Sequence, residues 1–157
     1  MIDHLSAHAL GLVHLLVALG VLAFGSAVIL SRKGTRLHRW LGRAYVLLMV
    51  VLNGTALMIY ELFGGFGPFH WMALASLLVT LVGYLPARSK PAGWMPRHAY
   101  FMTGSYVGLV AATVAEVASR VPDWSFGWSV FISSVVVTVV GVRWMRVRIP
   151  RILARWR

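Results

Sequence analysis

The sequence predicts an all-α protein, an integral membrane bundle of five transmembrane helices, and three observations support this prediction. Of its 157 residues, 59% are hydrophobic and only 12% are charged, against roughly 25% charged residues in a soluble domain. The mean hydropathy of +0.78 indicates lipid as the main solvent of the chain. Five long apolar runs, separated by short polar segments, supply the helices.

Each apolar run has the length of a membrane-spanning helix. A hydrocarbon core of ~30 Å needs about 17–25 helical residues, and the runs are 9–30, 41–63, 69–85, 99–118 and 126–142. Prolines lie at the boundaries of the runs, where a missing N–H costs least: Pro68, Pro86, Pro91, Pro96, Pro122 and Pro150. The short linkers predict antiparallel neighbours within one transmembrane domain, residues 1–157.

The basic residues orient the bundle. Fourteen of the 15 fall on one side of a five-helix path: Arg32, Lys33, Arg36, Arg39, Arg43, Arg88, Lys90, Arg97, Arg143, Arg146, Arg148, Arg151, Arg155 and Arg157. The four acids and Arg120 fall on the other side. Because cytoplasmic loops are enriched in Lys and Arg, we expect a bacterial inner membrane with the N-terminus outside and the C-terminus in the cytoplasm.

The composition also excludes several classes of function. A net charge of +11 would suggest nucleic acid in a soluble protein, but here the charges flank apolar runs, as they do beside an anionic lipid leaflet. The chain has no cysteine, so disulfides and thiolate sites are excluded. The first eight residues carry no Lys or Arg, which argues against a cleaved signal peptide. No nucleotide loop or nucleophile elbow is present, and enzyme activity stays open.

Polar residues within the runs have simple structural interpretations. Glu116 and Arg120 are four residues apart on one helix, so we expect an ion pair. Asn53 and Thr55 are expected to form hydrogen bonds between helices. The tail 143–157 alternates arginine with apolar residues, which favours a basic segment against the membrane surface.

Histidines are the main indication of chemistry. Ionisable residues in a membrane are costly and often functional. The positions of His38 and His98 predict an inner pair near the cytoplasmic face, and those of His14 and His70 an outer pair. Transmembrane b-type cytochromes hold haem iron between histidines of facing helices.

The sequence therefore predicts haem b, with His38 and His98 as inner axial ligands and His14 and His70 as outer ones. Arginines near the inner pair are candidates to bind the propionates: Arg36, Arg39, Arg43 and Arg97. Glycines leave space beside a flat porphyrin: Gly11, Gly20, Gly42, Gly104 and Gly108. Such a protein would pass electrons within or across the membrane, with a quinone as one candidate partner.

Two other classes of function stay open. The first is a non-catalytic subunit or scaffold of a larger membrane complex, or a homo-oligomer, because glycines in membrane helices often serve close packing. The second is a small transporter or metal-handling protein, because His and carboxylate ligands suit zinc or copper. The outer residues that would form such a site are Asp3, His4, His8, His14, Glu61 and His70.

Three patches carry a resemblance to a known family. The segment from Lys33 to Tyr45 has the pattern K-G-T-x-x-H-R-x-x-G-x-x-Y, His98 to Tyr106 forms a second patch, and Phe69-His70 with Ala73 forms a third. On these residues the chain resembles a family of small bacterial predicted membrane proteins of unknown function. The resemblance implies several membrane helices and draws attention to His38, His70 and His98. In its histidine placement alone, the chain is similar to transmembrane di-haem b-type cytochromes.

Overall fold

The computed structural model describes the backbone of residues 2–60 and 64–155, and the side chains of residues 9–60 and 64–155. Within these residues the chain is helical and contains no strand, which confirms the all-α prediction. The helices are α1 (Ile2–Leu30), α2 (Arg36–Ala56), α3 (Pro68–Ser89), α4 (Trp94–Ala118) and α5 (Phe126–Ala154).

The chain forms two compact units, residues 1–78 and 79–157, and the division lies inside α3. In the first unit α1 packs against α2, and in the second α4 packs against α5. Short loops join the members of each pair, so sequential helices are packing partners, as the linker lengths predict.

Four helical segments are long and apolar enough to cross a membrane: Ala9–Leu30, Pro68–Ser89, Trp94–Ala118 and Phe126–Ala154. Large apolar side chains on them are exposed in the isolated chain, for example Leu16 at 59% and Leu78 at 62%. Lipid is the solvent that such surfaces require. The helix α2 is less apolar than the other four, because three arginines lie in its first eight residues. Its crossing of the membrane stays a prediction.

The bounds of α2 differ from the predicted run 41–63. The helix begins at Arg36 because the Thr35 hydroxyl caps it, accepting the N–H of His38 at 3.1 Å. Gly34 precedes this cap with a φ of 76°, a left-handed conformation that glycine adopts without strain. The helix ends at Ala56, before the apolar run does. A run of apolar residues measures compatibility with lipid, whereas the cap decides where the helix starts.

Two prolines that were expected at helix boundaries lie beyond the first turn of a helix. Pro86 is within α3 and Pro150 is within α5. The helices continue into their basic flanks, so α3 reaches Ser89 and α5 reaches Ala154. The tail through Ala154 is therefore the end of α5 rather than a separate surface helix. The apolar stretches end where the basic residues begin, but the backbone hydrogen bonds of the helices continue past that point.

Glycines allow close helix contacts in the second unit. A Cβ at Gly83 would lie 2.8 Å from the backbone N of Met102, and one at Gly141 would overlap the Val107 side chain. Gly104 lies opposite Met145, where a Cβ would be 3.8 Å from the methionine methyl. These contacts match the small-residue packing of membrane helices. The expected Glu116–Arg120 ion pair is also confirmed, between an exposed side chain of α4 and one of the turn that follows it.

Candidate functional site

The four histidines singled out from the sequence all lie within described helices. His14 is in α1, His38 and His70 are in the first turns of α2 and α3, and His98 is in the second turn of α4. His70 is 2% exposed, and the other three have intermediate exposure. Each imidazole has a hydrogen bond at Nδ1, and the chemistry of that bond fixes the tautomer.

The imidazole of His38 is positioned by the loop before α2. The Thr35 cap fixes the backbone of its turn, and the ring Nδ1 lies 3.1 Å from the hydroxyl of Ser31. That hydroxyl donates its own hydrogen to the carbonyl of Val28 at 2.8 Å. The Ser31 oxygen therefore accepts a hydrogen bond from Nδ1–H, which leaves the acceptor lone pair of the neutral ring on Nε2.

The imidazole of His98 is positioned by a backbone carbonyl. Its Nδ1 lies 2.9 Å from the carbonyl oxygen of Gly83. A carbonyl can only accept, so Nδ1 donates and the lone pair of the neutral ring is on Nε2. The indole of Trp94, one turn earlier, lies with its ring centroid 6.1 Å from that of His98.

The imidazole of His14 contacts the far end of α2. Its Nδ1 is 2.8 Å from the hydroxyl oxygen of Thr55, and this hydroxyl donates to the carbonyl of Leu52 at 2.9 Å. Thr55 therefore accepts from His14 Nδ1–H. This contact joins α1 to α2 and confirms the interhelical role predicted for Thr55. The amide of Asn53 instead donates within α2, to the carbonyl of Met49 at 2.7 Å.

Three histidines thus share one chemical state, with Nδ1–H donated to an oxygen and the lone pair on Nε2. Metal-binding histidines characteristically donate their second ring N–H to a carbonyl, carboxylate or water, because that bond holds the ring orientation and raises the basicity of the ligating nitrogen. The tautomer of His14, His38 and His98 is therefore the one that ligation through Nε2 requires.

The state of His70 is different. The backbone N–H of Gly67 donates to its Nδ1 at 3.1 Å, so in the neutral ring the proton is on Nε2. This Nε2 is buried and has no hydrogen-bond partner among the described residues. The ring lies against two aromatic rings, with centroids 4.6 Å from Tyr60 and 4.8 Å from Phe66. Ligation through Nε2 would require His70 to move its proton to Nδ1 and to lose the Gly67 contact.

The candidate propionate ligands Arg39 and Arg43 are both exposed. Arg39 donates from Nη1 to the carbonyl of Gly34 at 3.0 Å, which holds its side chain beside the loop before α2. Arg36 and Arg97 are exposed as well. These guanidinium groups lie close in sequence to His38 and His98.

The outer metal site predicted from the sequence depends in part on side chains outside the described residues, namely those of Asp3, His4, His8 and Glu61. Among the described residues, no group of three His, Cys, Asp or Glu side chains is placed to hold a metal ion. Two axial histidines on a haem iron do not require such a group.

Sequence reasoning did not identify the residues that set the tautomers. Ser31, Gly83 and Gly67 were not singled out, and Thr55 was assigned only a packing role. Ser31 and Gly67 lie within seven residues of their histidines, so a search for local acceptors and donors would have included them. Gly83 is separated from His98 by 15 residues, and only the packing of α3 with α4 brings the two together.

Comparison with known proteins identifies a family but no activity. The family model described as "Predicted membrane protein (DUF2306)" matches residues 11–152. This match extends beyond the patches that suggested a resemblance and includes nearly all of α5. No curated protein and no solved structure matches the chain.

Proposed function

Because the chain belongs to the DUF2306 family of predicted membrane proteins, whose description names no activity, we propose its function from the chemical state of its histidines. We propose that the protein binds haem b in the membrane, with His38 and His98 as axial ligands. Bound haem supplies reversible one-electron transfer. In this proposal the protein passes electrons within or across the bilayer, with a quinone as the partner.

The shared tautomer of His38 and His98 is the observation that supports this proposal. Each ring donates Nδ1–H to a fixed oxygen, the hydroxyl of Ser31 or the carbonyl of Gly83. Each therefore has its basic lone pair on Nε2, the nitrogen that binds iron in a haem protein. Each of these hydrogen bonds also limits rotation of the imidazole ring, which reduces the conformational entropy that the side chain loses when it binds iron.

One position close to His38 is open. A Cβ at Gly42, one turn after His38, would meet no heavy atom of the described chain within 4 Å, which supports room for a flat ring beside this histidine. Arg39 and Arg43 carry guanidinium groups that form paired hydrogen bonds with carboxylates. Their role in the proposal is to bind the propionates at the basic face of the membrane.

The outer pair fits less well than the inner pair. His14 has the tautomer of a ligand, but His70 accepts a hydrogen bond at Nδ1 from Gly67. A second haem between His14 and His70 would need to break that contact. We therefore propose His38 and His98 as the ligands of the first haem. Whether His14 and His70 bind a second haem is tested by the absorption spectra described below.

We also propose that α2 crosses the membrane and that the chain lies in a bacterial inner membrane with its N-terminus outside. Charge supports this topology. If α2 stayed on one face, the basic residues after α3 and at the end of α5 would lie on the face opposite to those after α1. Five crossings instead collect 14 of the 15 basic residues on one side, as the positive-inside rule expects.

The visible absorption spectrum of the detergent-purified protein tests the proposal, after expression with an ample haem supply. We expect a Soret band that shifts on reduction with dithionite, together with a sharp α band, as six-coordinate haem gives. His38→Ala and His98→Ala should each abolish this spectrum. The matched controls are His14→Ala and His70→Ala, which should leave the spectrum unchanged if only the inner pair binds haem.

Four outcomes would count against the assignment. A colourless protein after haem supply would rule out the cytochrome hypothesis. Bound zinc or copper in the same sample would instead favour the metal-handling alternative, and stable co-purifying subunits would favour the scaffold alternative. A haem spectrum that is lost only in the His14 and His70 variants would move the site to the outer pair.

A further inference from the structure

The last turns of α5 present a groove that mixes arginine with apolar side chains. A shallow groove of about 400 Å³ is lined by Val140, Arg143, Trp144, Val147, Arg148 and Arg151. These positions follow the spacing i, i+3, i+4, i+7, i+8 and i+11, so all six lie on one face of the helix. We call this face the α5 arginine face.

The α5 arginine face is not the packing face of the helix. All six of its residues are exposed, whereas Met145 and Ile149, on another side of the same turns, are 9% and 2% exposed. Gly104 of α4 lies opposite Met145. Packing within the second unit therefore uses the Met145 side and leaves the arginine face for a partner.

The length of α5 places this face at the depth of lipid headgroups. The helix has 29 residues, which is about 43 Å at a rise of about 1.5 Å per residue. This exceeds a hydrocarbon core of ~30 Å. The exposed indoles of Trp128 and Trp144 are separated by about 24 Å of helix, and Trp anchors mark the two interfaces of a bilayer. Val140 then lies at acyl-chain depth, and Arg148 and Arg151 lie among the phosphates.

The positive charge of the α5 arginine face favours the binding of an anion. The helix α5 contains no acidic residue that could pair with its arginines. The ion pair found among the described residues joins Glu116 of α4 to Arg120 in the loop that follows, and does not involve α5. Arginine binds phosphate through paired hydrogen bonds. Three guanidinium groups distributed over about 12 Å of helix exceed what one phosphodiester neutralises.

We propose that the α5 arginine face binds an anionic phospholipid with two phosphates, of the cardiolipin type. Arg143, Arg148 and Arg151 hold the two phosphodiesters, and the indole of Trp144 contacts the glycerol and upper acyl region. Val140 and Val147 contact the acyl chains. Basic sites at the cytoplasmic face of membrane proteins bind such headgroups.

Native mass spectrometry of the full chain, released from detergent, tests this site. The protein is titrated with cardiolipin or with phosphatidylglycerol at equal phosphate concentration, so that total charge is matched. We expect one cardiolipin to bind at least about tenfold more tightly than phosphatidylglycerol, a difference of about 1.4 kcal/mol. The triple variant R143Q/R148Q/R151Q should bring the two lipids to within about two-fold of each other.

The matched control is R32Q/R88Q/R146Q, which removes the same number of charges from the same predicted side of the membrane. It should keep the preference for cardiolipin, because none of its positions lines the groove. Equal loss of preference in both triple variants would show that overall charge, not the α5 arginine face, attracts the lipid, and would overturn the proposal. So would the absence of any preference in the wild-type protein, a result that does not depend on how the variants fold.

Discussion

The imidazole of His98 donates from Nδ1 to the carbonyl oxygen of Gly83, 2.9 Å away. This bond is possible because α3 and α4 approach closely at Gly83, where even a Cβ would lie 2.8 Å from the backbone N of Met102. The glycine therefore has two roles. It allows the close approach of the helices, and its carbonyl sets the tautomer of the histidine that we propose as an iron ligand.

The first prediction concerns the tautomers. In protein prepared without haem, His14, His38 and His98 should be protonated at Nδ1 when neutral, because each donates from that nitrogen to an oxygen. His70 should be protonated at Nε2, because Gly67 donates to its Nδ1. Ring ¹⁵N chemical shifts, assigned with single His→Gln variants, distinguish the two states. A spectrum with His70 and His98 in the same tautomer would contradict the prediction.

The tautomers show where sequence reasoning reached its limit. The functional role of the histidines stays a prediction. Four helical segments long and apolar enough to cross a membrane were predictable, because apolar run length is a property of local sequence. The partner of His98 was not, since Gly83 contacts it only through the packing of α3 with α4. The start of α2 was also missed, because a hydropathy pattern does not register the Thr35 cap. The sequence predicts Pro86 and Pro150 at helix boundaries because they lie at or beyond the ends of apolar runs. The helices instead continue beyond those runs and include both prolines.

The second prediction concerns the close approach at Gly83. Gly83→Ala places a Cβ 2.8 Å from the backbone N of Met102 and 3.0 Å from its Sδ. Overpacking of this kind typically costs about 1–3 kcal/mol, so we expect a lower thermal midpoint in detergent, measured by tryptophan fluorescence. The loss should exceed any gain from the higher helix propensity of alanine.

Gly108→Ala in α4 is the matched control for this substitution. A Cβ there meets no heavy atom of the described chain within 4 Å, so the midpoint should stay unchanged or rise slightly. Equal midpoints for the two variants would mean that the contact between Gly83 and Met102 is not tight in the folded protein.

The third prediction concerns the topology of α2. The chain has no cysteine, so single substitutions to cysteine report their side of the membrane without background. In intact cells, a membrane-impermeant maleimide should label Gly65→Cys and should not label Arg32→Cys or Ser89→Cys. After permeabilisation all three should react. Labelling of Arg32→Cys and Gly65→Cys from the same side would show that α2 does not cross.

The last prediction concerns Lys33, which caps the C-terminal end of α1. Its Nζ donates to the carbonyls of Val28 and Ile29, each at 2.8 Å, and burial lowers the pKa of its amine below the usual 10.5. Since the folded state disfavours the charged amine, the unfolded chain binds more protons in the alkaline range. Stability linked to this group should therefore be complete above about pH 10.5 and should be lost as the pH falls through the lowered pKa.

The measurement compares thermal midpoints of wild type and Lys33→Met as the pH is raised from about 8 to about 10.5. The wild-type midpoint should rise relative to that of Lys33→Met over this interval, because the variant has no amine to deprotonate, while other titrating groups affect both proteins alike. Lys90→Met is the matched control, since Lys90 is an exposed lysine in a loop at the same predicted face, and it should follow the wild-type pH profile. If the wild type lost midpoint relative to Lys33→Met as the pH rose, the charged amine and its two carbonyl bonds would outweigh the cost of burial, and the direction of the pKa change would be reversed.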